Sequence, residues 1–229
     1  MKVIGVLGGL GPQATMDFEA RIHAVVQRLT PPGVNPGYPP MVVYYYRGSA
    51  FIMGVEHKPV FPLQPHPRIL DAAKKLGGWA DFLVITSNGV HQVKDAIEQA
   101  SGLAVLSMID VTLEEMNRRG WKKVGVVTFG PPTVYAVPLD KRGITYECIP
   151  HELNNRLRRS IIRYQAGQED ATDRAIAQEA IVALRSQNVD GVIMGCTEIP
   201  LLLQREADAP DLLNPAQYLA EAAVKYALE

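Results

Sequence analysis

Short apolar runs alternate with longer amphipathic stretches along the whole chain. Lys2–Leu7, Met41–Tyr46, Phe82–Ile85, Ala104–Ser107, Lys123–Thr128 and Gly191–Met194 are rich in Val, Ile, Leu, Phe or Tyr, which suits half-buried or buried strands. Between them, Ala14–Leu29, Arg68–Leu76, His91–Ala100, Val111–Arg119, Asn154–Tyr164, Ala171–Ser186 and Pro215–Leu228 carry apolar residues at helical spacing. Gly120 supplies a helix stop after Arg119. Strand followed by helix, repeated, predicts an α/β fold with mainly parallel sheets built from βαβ units.

The pattern also repeats on a larger scale. Asp81 precedes the apolar run that ends at Ser87–Asn88, and Asp190 precedes the run that ends at Cys196–Thr197, each Asp six positions before the Ser or Cys. Ile4–Leu7 resembles Val124–Val127, and each is soon followed by Gly-Pro, at Gly11–Pro12 and Gly130–Pro131. Two paired landmarks in the same order predict an internal duplication. The expected division is residues 1–107 with a C-terminal helix, 211–229, crossing back to the first α/β domain, and 108–210 as the second. A cleft between the two halves would bring the two strand ends together. Two Pro-rich stretches, Thr30–Pro40 and Lys58–Pro67, cannot be helix interiors or central strands, and are candidate lids as well as candidate plain surface connections.

Composition adds mainly exclusions. The 229 residues are 47% hydrophobic and 21% charged, with a formal net charge of -1, so charge gives no reason to expect a nucleic acid or an anionic membrane as partner. Two cysteines, Cys148 and Cys196, make a disulfide framework improbable. The opening MKVIGVLGGLGP reads as a strand and turn rather than a leader, and no run approaches the roughly 18 apolar residues of a membrane span. The expectation is a soluble cytoplasmic protein acting on a small molecule.

In open parallel sheets, ligands bind beyond the carboxyl ends of strands, which puts Ser87 and Cys196 at candidate positions. A thiol serves as base or nucleophile as its thiolate, and Glu198 is close enough in sequence to orient or deprotonate it, or simply to sit at a helix start. His91 could serve Ser87, although no Asp is placed to complete a triad and the G-x-S-x-G elbow is absent. The turn Gly8–Pro12 is not a nucleotide loop, yet amides at the next helix start, with Gly9 and Thr15, could hold a carboxylate. Arg47, after the second strand, could clamp a carboxylate or be a solvated strand-end charge. Five scattered His and two distant Cys show no metal-ligand spacing.

Three segments together resemble a known family. Gly8–Gly9–Leu10–Gly11–Pro12 with Thr15, the segment Thr86–His91, and Gly195–Leu202 (GCTEIPLL) are similar to the signatures of aspartate/glutamate racemases, in matching order and over almost the whole chain. The resemblance implies two pseudo-symmetric α/β domains with the active site between them. It also implies a homodimer, no cofactor such as PLP and no metal. The implied chemistry is two-base proton transfer at the α-carbon of an amino acid. On that basis Cys196 is the main base, Ser87 the opposite partner, Glu198 and His91 the groups that tune them, and Gly9, Thr15, Arg47, Asn88, Gly89, Thr128 and Thr197 the substrate contacts. The sequence departs from the family pattern at three places. Ser87 stands where the first cysteine is expected, Gly89 where a Thr is expected, and Gln165 about where a Lys would meet a distal carboxylate. Some members with Thr at the first position resemble L-selective enzymes, and Ser87 with Cys196 could act likewise. Single-thiol relatives point instead to a decarboxylase or an isomerase of a small dicarboxylate, and loss of a base would leave a non-catalytic binding protein.

Overall fold

The computed structural model describes residues 1–29, 38–55 and 58–229. The chain packs as two compact units, Met1–Met108 with Ala216–Glu229, and Ile109–Pro215.

In the first unit, β1 (Ile4–Gly8), β2 (Met41–Tyr45), β3 (Phe82–Ile85) and β4 (Val105–Leu106) form a sheet in the order β2-β1-β3-β4, all parallel. Its crossovers include α1 (Pro12–Leu29), α2 (Pro67–Gly77) and α3 (Lys94–Ser101), and α9 (Pro215–Leu228) closes the chain. Leu7, Leu83 and Ile85 of the sheet pack with Ile69 and Leu76 of α2 and Ile97 of α3, all essentially inaccessible to solvent. Local chemistry sets the helix ends. The His66 ring accepts the Arg68 N–H at the start of α2, next to Pro67, and Gly102 takes the left-handed conformation that ends α3.

The second unit repeats the plan. β5 (Lys123–Val127), β6 (Thr145–Cys148), β7 (Gly191–Met194) and β8 (Leu212–Leu213) form a parallel sheet in the order β6-β5-β7-β8. Its helices are α4 (Met108–Arg118), which carries the chain in, then α5 (Thr133–Asp140), α6 (His151–Gln165), α7 (Ala171–Arg185) and α8 (Glu198–Leu203). Leu157 and Ile161 of α6, Leu184 of α7 and Val192 and Met194 of β7 share one core. Asp170 and Asp173 form a reciprocal capping box at the start of α7.

Both sheets place their second strand outside the first and their third inside it, so the α/β class and the parallel sheets match the expectation. The repeated Asp residues have a repeated job. Asp81 accepts the Val3 N–H at 2.6 Å, while Asp190 accepts the N–H groups of Lys122 and Lys123 at 2.6 and 2.9 Å. Each ties the entrance of the third strand to that of the first.

Most of the Pro-rich stretch Thr30–Pro40 lies at residues 30–37, outside the described residues. The other, Lys58–Pro67, is fastened to the segment before it. Val60 donates to the Ile52 carbonyl, Ile52 to Gln64, and His66 to Ala50. Among the described residues, no helix is long and apolar enough to cross a membrane.

Candidate active site

The chemistry-bearing residues of each unit gather where parallel strands end. In the first unit the turn after β1 is held by Thr15, whose Oγ1 accepts the Gly9 N–H at 2.8 Å and lies 2.9 Å from the Thr86 hydroxyl. Thr15 is fully buried. Its hydroxyl therefore shapes the turn, and the Gly9 amide is already used, which differs from the substrate contacts expected of both. Gly9 itself is required by the backbone. Its φ is +77°, and a Cβ there would sit 2.6 Å from the Tyr46 nitrogen.

Ser87 is half-buried just beyond β3, next to the buried Asn88. The His91 ring accepts the Met108 N–H on Nε2 at 3.0 Å, which assigns the proton to Nδ1, and Nδ1 donates to the Ser87 carbonyl at 2.8 Å. His91 therefore positions the Ser87 backbone. It is not set as a base for the Ser87 hydroxyl, because the nitrogen on that side carries a proton already directed at the carbonyl. A Cβ at Gly89 would meet nothing within 4 Å, so the missing Thr leaves open space. Arg47 is exposed, 5.8 Å from the centre of the Tyr45 ring, and no ion pair engages it among the described residues.

In the second unit the arrangement is tighter. Cys196 is buried beyond β7 and its thiol donates to Glu198 Oε2 at 3.1 Å. The same oxygen accepts the Thr197 hydroxyl at 3.1 Å, and Oε1 accepts the Gln165 amide at 2.7 Å. Burial pushes the Cys196 thiol well above its ordinary value, and the charge and hydrogen bonding of Glu198 push it further. The backbone amides of Glu198 and Phe129 work in the opposite direction. The sulfur thus rests as a thiol, with an adjacent carboxylate able to take its proton and two amides able to stabilise the thiolate. Thr128 is buried and donates its hydroxyl to the Gly130 carbonyl, and it packs so closely on Gly195 that a Cβ there would lie 2.8 Å from its methyl group.

Two participants were not legible as such in the sequence. Gln165 stands out only as a residue where a Lys is expected, and nothing at a separation of 33 residues marks it as a partner of Glu198. The Phe129 amide had a weak signal, since it follows the strand that the duplication places beside β7. Among the described residues, no group of three or more His, Cys, Asp or Glu could hold a metal ion.

The family model for Asp/Glu/Hydantoin racemase matches residues 7–223. The chain belongs to that family. Membership makes it an isomerase of the racemase class. The chain is similar to the broad specificity amino-acid racemase RacX of Bacillus subtilis (strain 168), at 23% identity over 97% of this chain and 96% of that one. Its fold is similar to that of an aspartate racemase homologue from Pyrococcus horikoshii OT3, with a TM-score of 0.77 and 24% identity over the full length of both chains. It is also similar to that of the Picrophilus torridus aspartate racemase, with a TM-score of 0.73 and 21% identity over 99% of this chain and 94% of that one. Within the racemase family, then, this member carries one thiol at the candidate site, Cys196, a carboxylate hydrogen-bonded to it, and a serine at the matching strand end.

Proposed function

We propose that this protein is an amino-acid racemase that exchanges the α-proton through the Cys196–Glu198 pair, with Ser87 as the weaker second group. The observation that carries the reading is the 3.1 Å hydrogen bond from the Cys196 thiol to a buried carboxylate. As an acid, the resting thiol gives its proton to a carbanion-like α-carbon. As a base, it first passes that proton to Glu198 Oε2, and the Phe129 and Glu198 amides hold the resulting thiolate. A serine hydroxyl is a far poorer base than a thiol near neutral pH, so proton transfer at the Ser87 side limits turnover. Arg47, Asn88, Gly89, Thr128 and Thr197 are the proposed surroundings of the substrate. Family resemblance supports a cofactor-independent reaction and a cytoplasmic homodimer.

A neutral or varied side chain fits this member better than a strictly acidic one. Gln165 carries no charge and its amide serves Glu198, and the similar protein RacX is named for broad specificity. The test is incubation with single enantiomers of acidic, neutral and basic amino acids in D2O. Loss of the α-proton with inversion is the expected result, and it disappears in Cys196→Ala. Absence of exchange with every amino acid would overturn the racemase reading.

A further inference from the structure

The two oxygens of the Glu198 carboxylate have different neighbours. Oε2 accepts the Cys196 thiol and the Thr197 hydroxyl, both from the residues just before Glu198 in the chain. Oε1 is bonded from elsewhere. Gln165 is exposed at the last position of α6, yet its side-chain amide turns inward and donates to Oε1 at 2.7 Å across a separation of 33 residues. Glu198 itself is 3% exposed. The terminal torsion of a Glu side chain is soft, so donors on one oxygen alone would leave the carboxylate free to turn. The Gln165 amide fixes the other oxygen.

Gln165 is held in its turn. Two residues earlier on α6, the Arg163 guanidinium bonds Asp173 Oδ2 at 2.9 Å and Asp170 Oδ2 at 3.0 Å, and it donates to the Gln168 carbonyl. Asp170 and Asp173 form the capping box of α7, and Asp173 is buried. The end of α6 is thereby clasped to the start of α7, and both helices pack against α8, which Glu198 begins. Ion pairs near a surface add little stability. This one sets the direction of a helix end, and with it the reach of Gln165.

We infer that Gln165 is a positioning residue for proton transfer, holding Oε1 of Glu198 so that Oε2 stays on the Cys196 sulfur, with Arg163 holding Gln165. The step it serves rests on the racemase reading, whereas the positioning is a property of the free protein. In that step the S–H bond of Cys196 breaks, an O–H bond forms at Oε2, and the electron pair stays on sulfur; the reverse restores the thiol. With Oε1 already bonded to a donor, the arriving proton has one oxygen to take. A neutral amide suits this task better than a cation, because it directs the carboxylate without cancelling the charge that draws the proton.

The experiment is the pH profile of iodoacetamide alkylation of Cys196 in a Cys148→Ser background, read as a double-mutant cycle. Burial raises the Cys196 thiol most, and the charge and hydrogen bond of Glu198 add to it, so Glu198→Gln should lower the midpoint. In a Gln165→Leu background the same substitution should lower it by less than about half as much, because the carboxylate has turned from the sulfur. Arg163→Met should weaken the coupling in the same direction and add nothing once Gln165 is replaced. In turnover, Gln165→Leu should lower kcat by at least about tenfold and leave KM within about twofold of the parent's for acidic, neutral and basic amino acids. Full coupling in either variant, folded by circular dichroism, would overturn the proposal. So would a KM that rises for one class of side chain with kcat unchanged, since Gln165 would then be a substrate contact. The alkylation arm needs no turnover, so a protein that racemises nothing would refute the racemase reading while the positioning is still decided by the cycle.

Discussion

Replacing Glu198 with Gln removes a negative charge whose Oε2 lies 3.1 Å from the Cys196 sulfur, with little change in shape. For a thiolate and a carboxylate about 4 Å apart, an effective dielectric constant of about 20 gives a repulsion of about 4 kcal/mol. At about 1.4 kcal/mol per pKa unit, that is at most about three units. Donors from Thr197 and Gln165 already answer part of the carboxylate charge, so the expected fall is about one to three units. Burial is the largest cause of the raised value and the substitution leaves it in place, so the thiol should remain above its ordinary range. The assay is the pH dependence of iodoacetamide alkylation of Cys196 in a Cys148→Ser background, with thiolate ultraviolet absorbance as a second readout. The sign is definite. Thiolate should appear at lower pH in Glu198→Gln than in the parent, while racemisation falls because the proton acceptor is gone. An unchanged or higher midpoint in a folded variant would refute the pairing of sulfur and carboxylate.

Three further outcomes follow from the same structure. Ser87→Cys should raise inversion of a single enantiomer by at least about tenfold, measured as chirality against time in D2O, and an unchanged rate would remove Ser87 from the reaction. His91→Phe takes away both the acceptor of the Met108 N–H and the donor to the Ser87 carbonyl. It should cost about 1–3 kcal/mol in urea unfolding, and an unshifted midpoint would count against that placement. Gly191→Ala would put a Cβ 2.1 Å from the Trp121 ring. It should destabilise by about 1–3 kcal/mol, and a Tm equal to the parent's would show that the ring moves aside freely.

The six main strands were readable because each is a short run of apolar residues bounded by turns. The two edge strands of the second sheet were not. β6 reads TYEC and is partly exposed, and β8 is two leucines, so neither shows a period long enough to recognise. α5 was hidden by Pro138 within it, and α8 by its six-residue length. At the site, Cys196 and Glu198 could be paired by sequence because they are two residues apart. Gln165 could not, because only the packing of α6 brings it to Glu198. For Thr15 the position was legible and the role was not. The sequence shows a hydroxyl after a glycine turn, and only the structure shows it enclosed and bonded to Gly9 and Thr86.

The aspartates at the entrances of β3 and β7 bear on how this enzyme could change over time. Asp81 and Asp190 anchor one end of each strand, and Ser87 and Cys196, the side chains proposed to react, sit just past the other end. Register is therefore secured away from the place where chemistry is altered. A thiol can be exchanged for a hydroxyl at position 87, or back again, while the strand beneath it keeps its alignment. Such a division would let the proposed catalytic positions change at the far end of each strand at little structural risk, and it makes positions 87 and 196 natural sites for directed evolution.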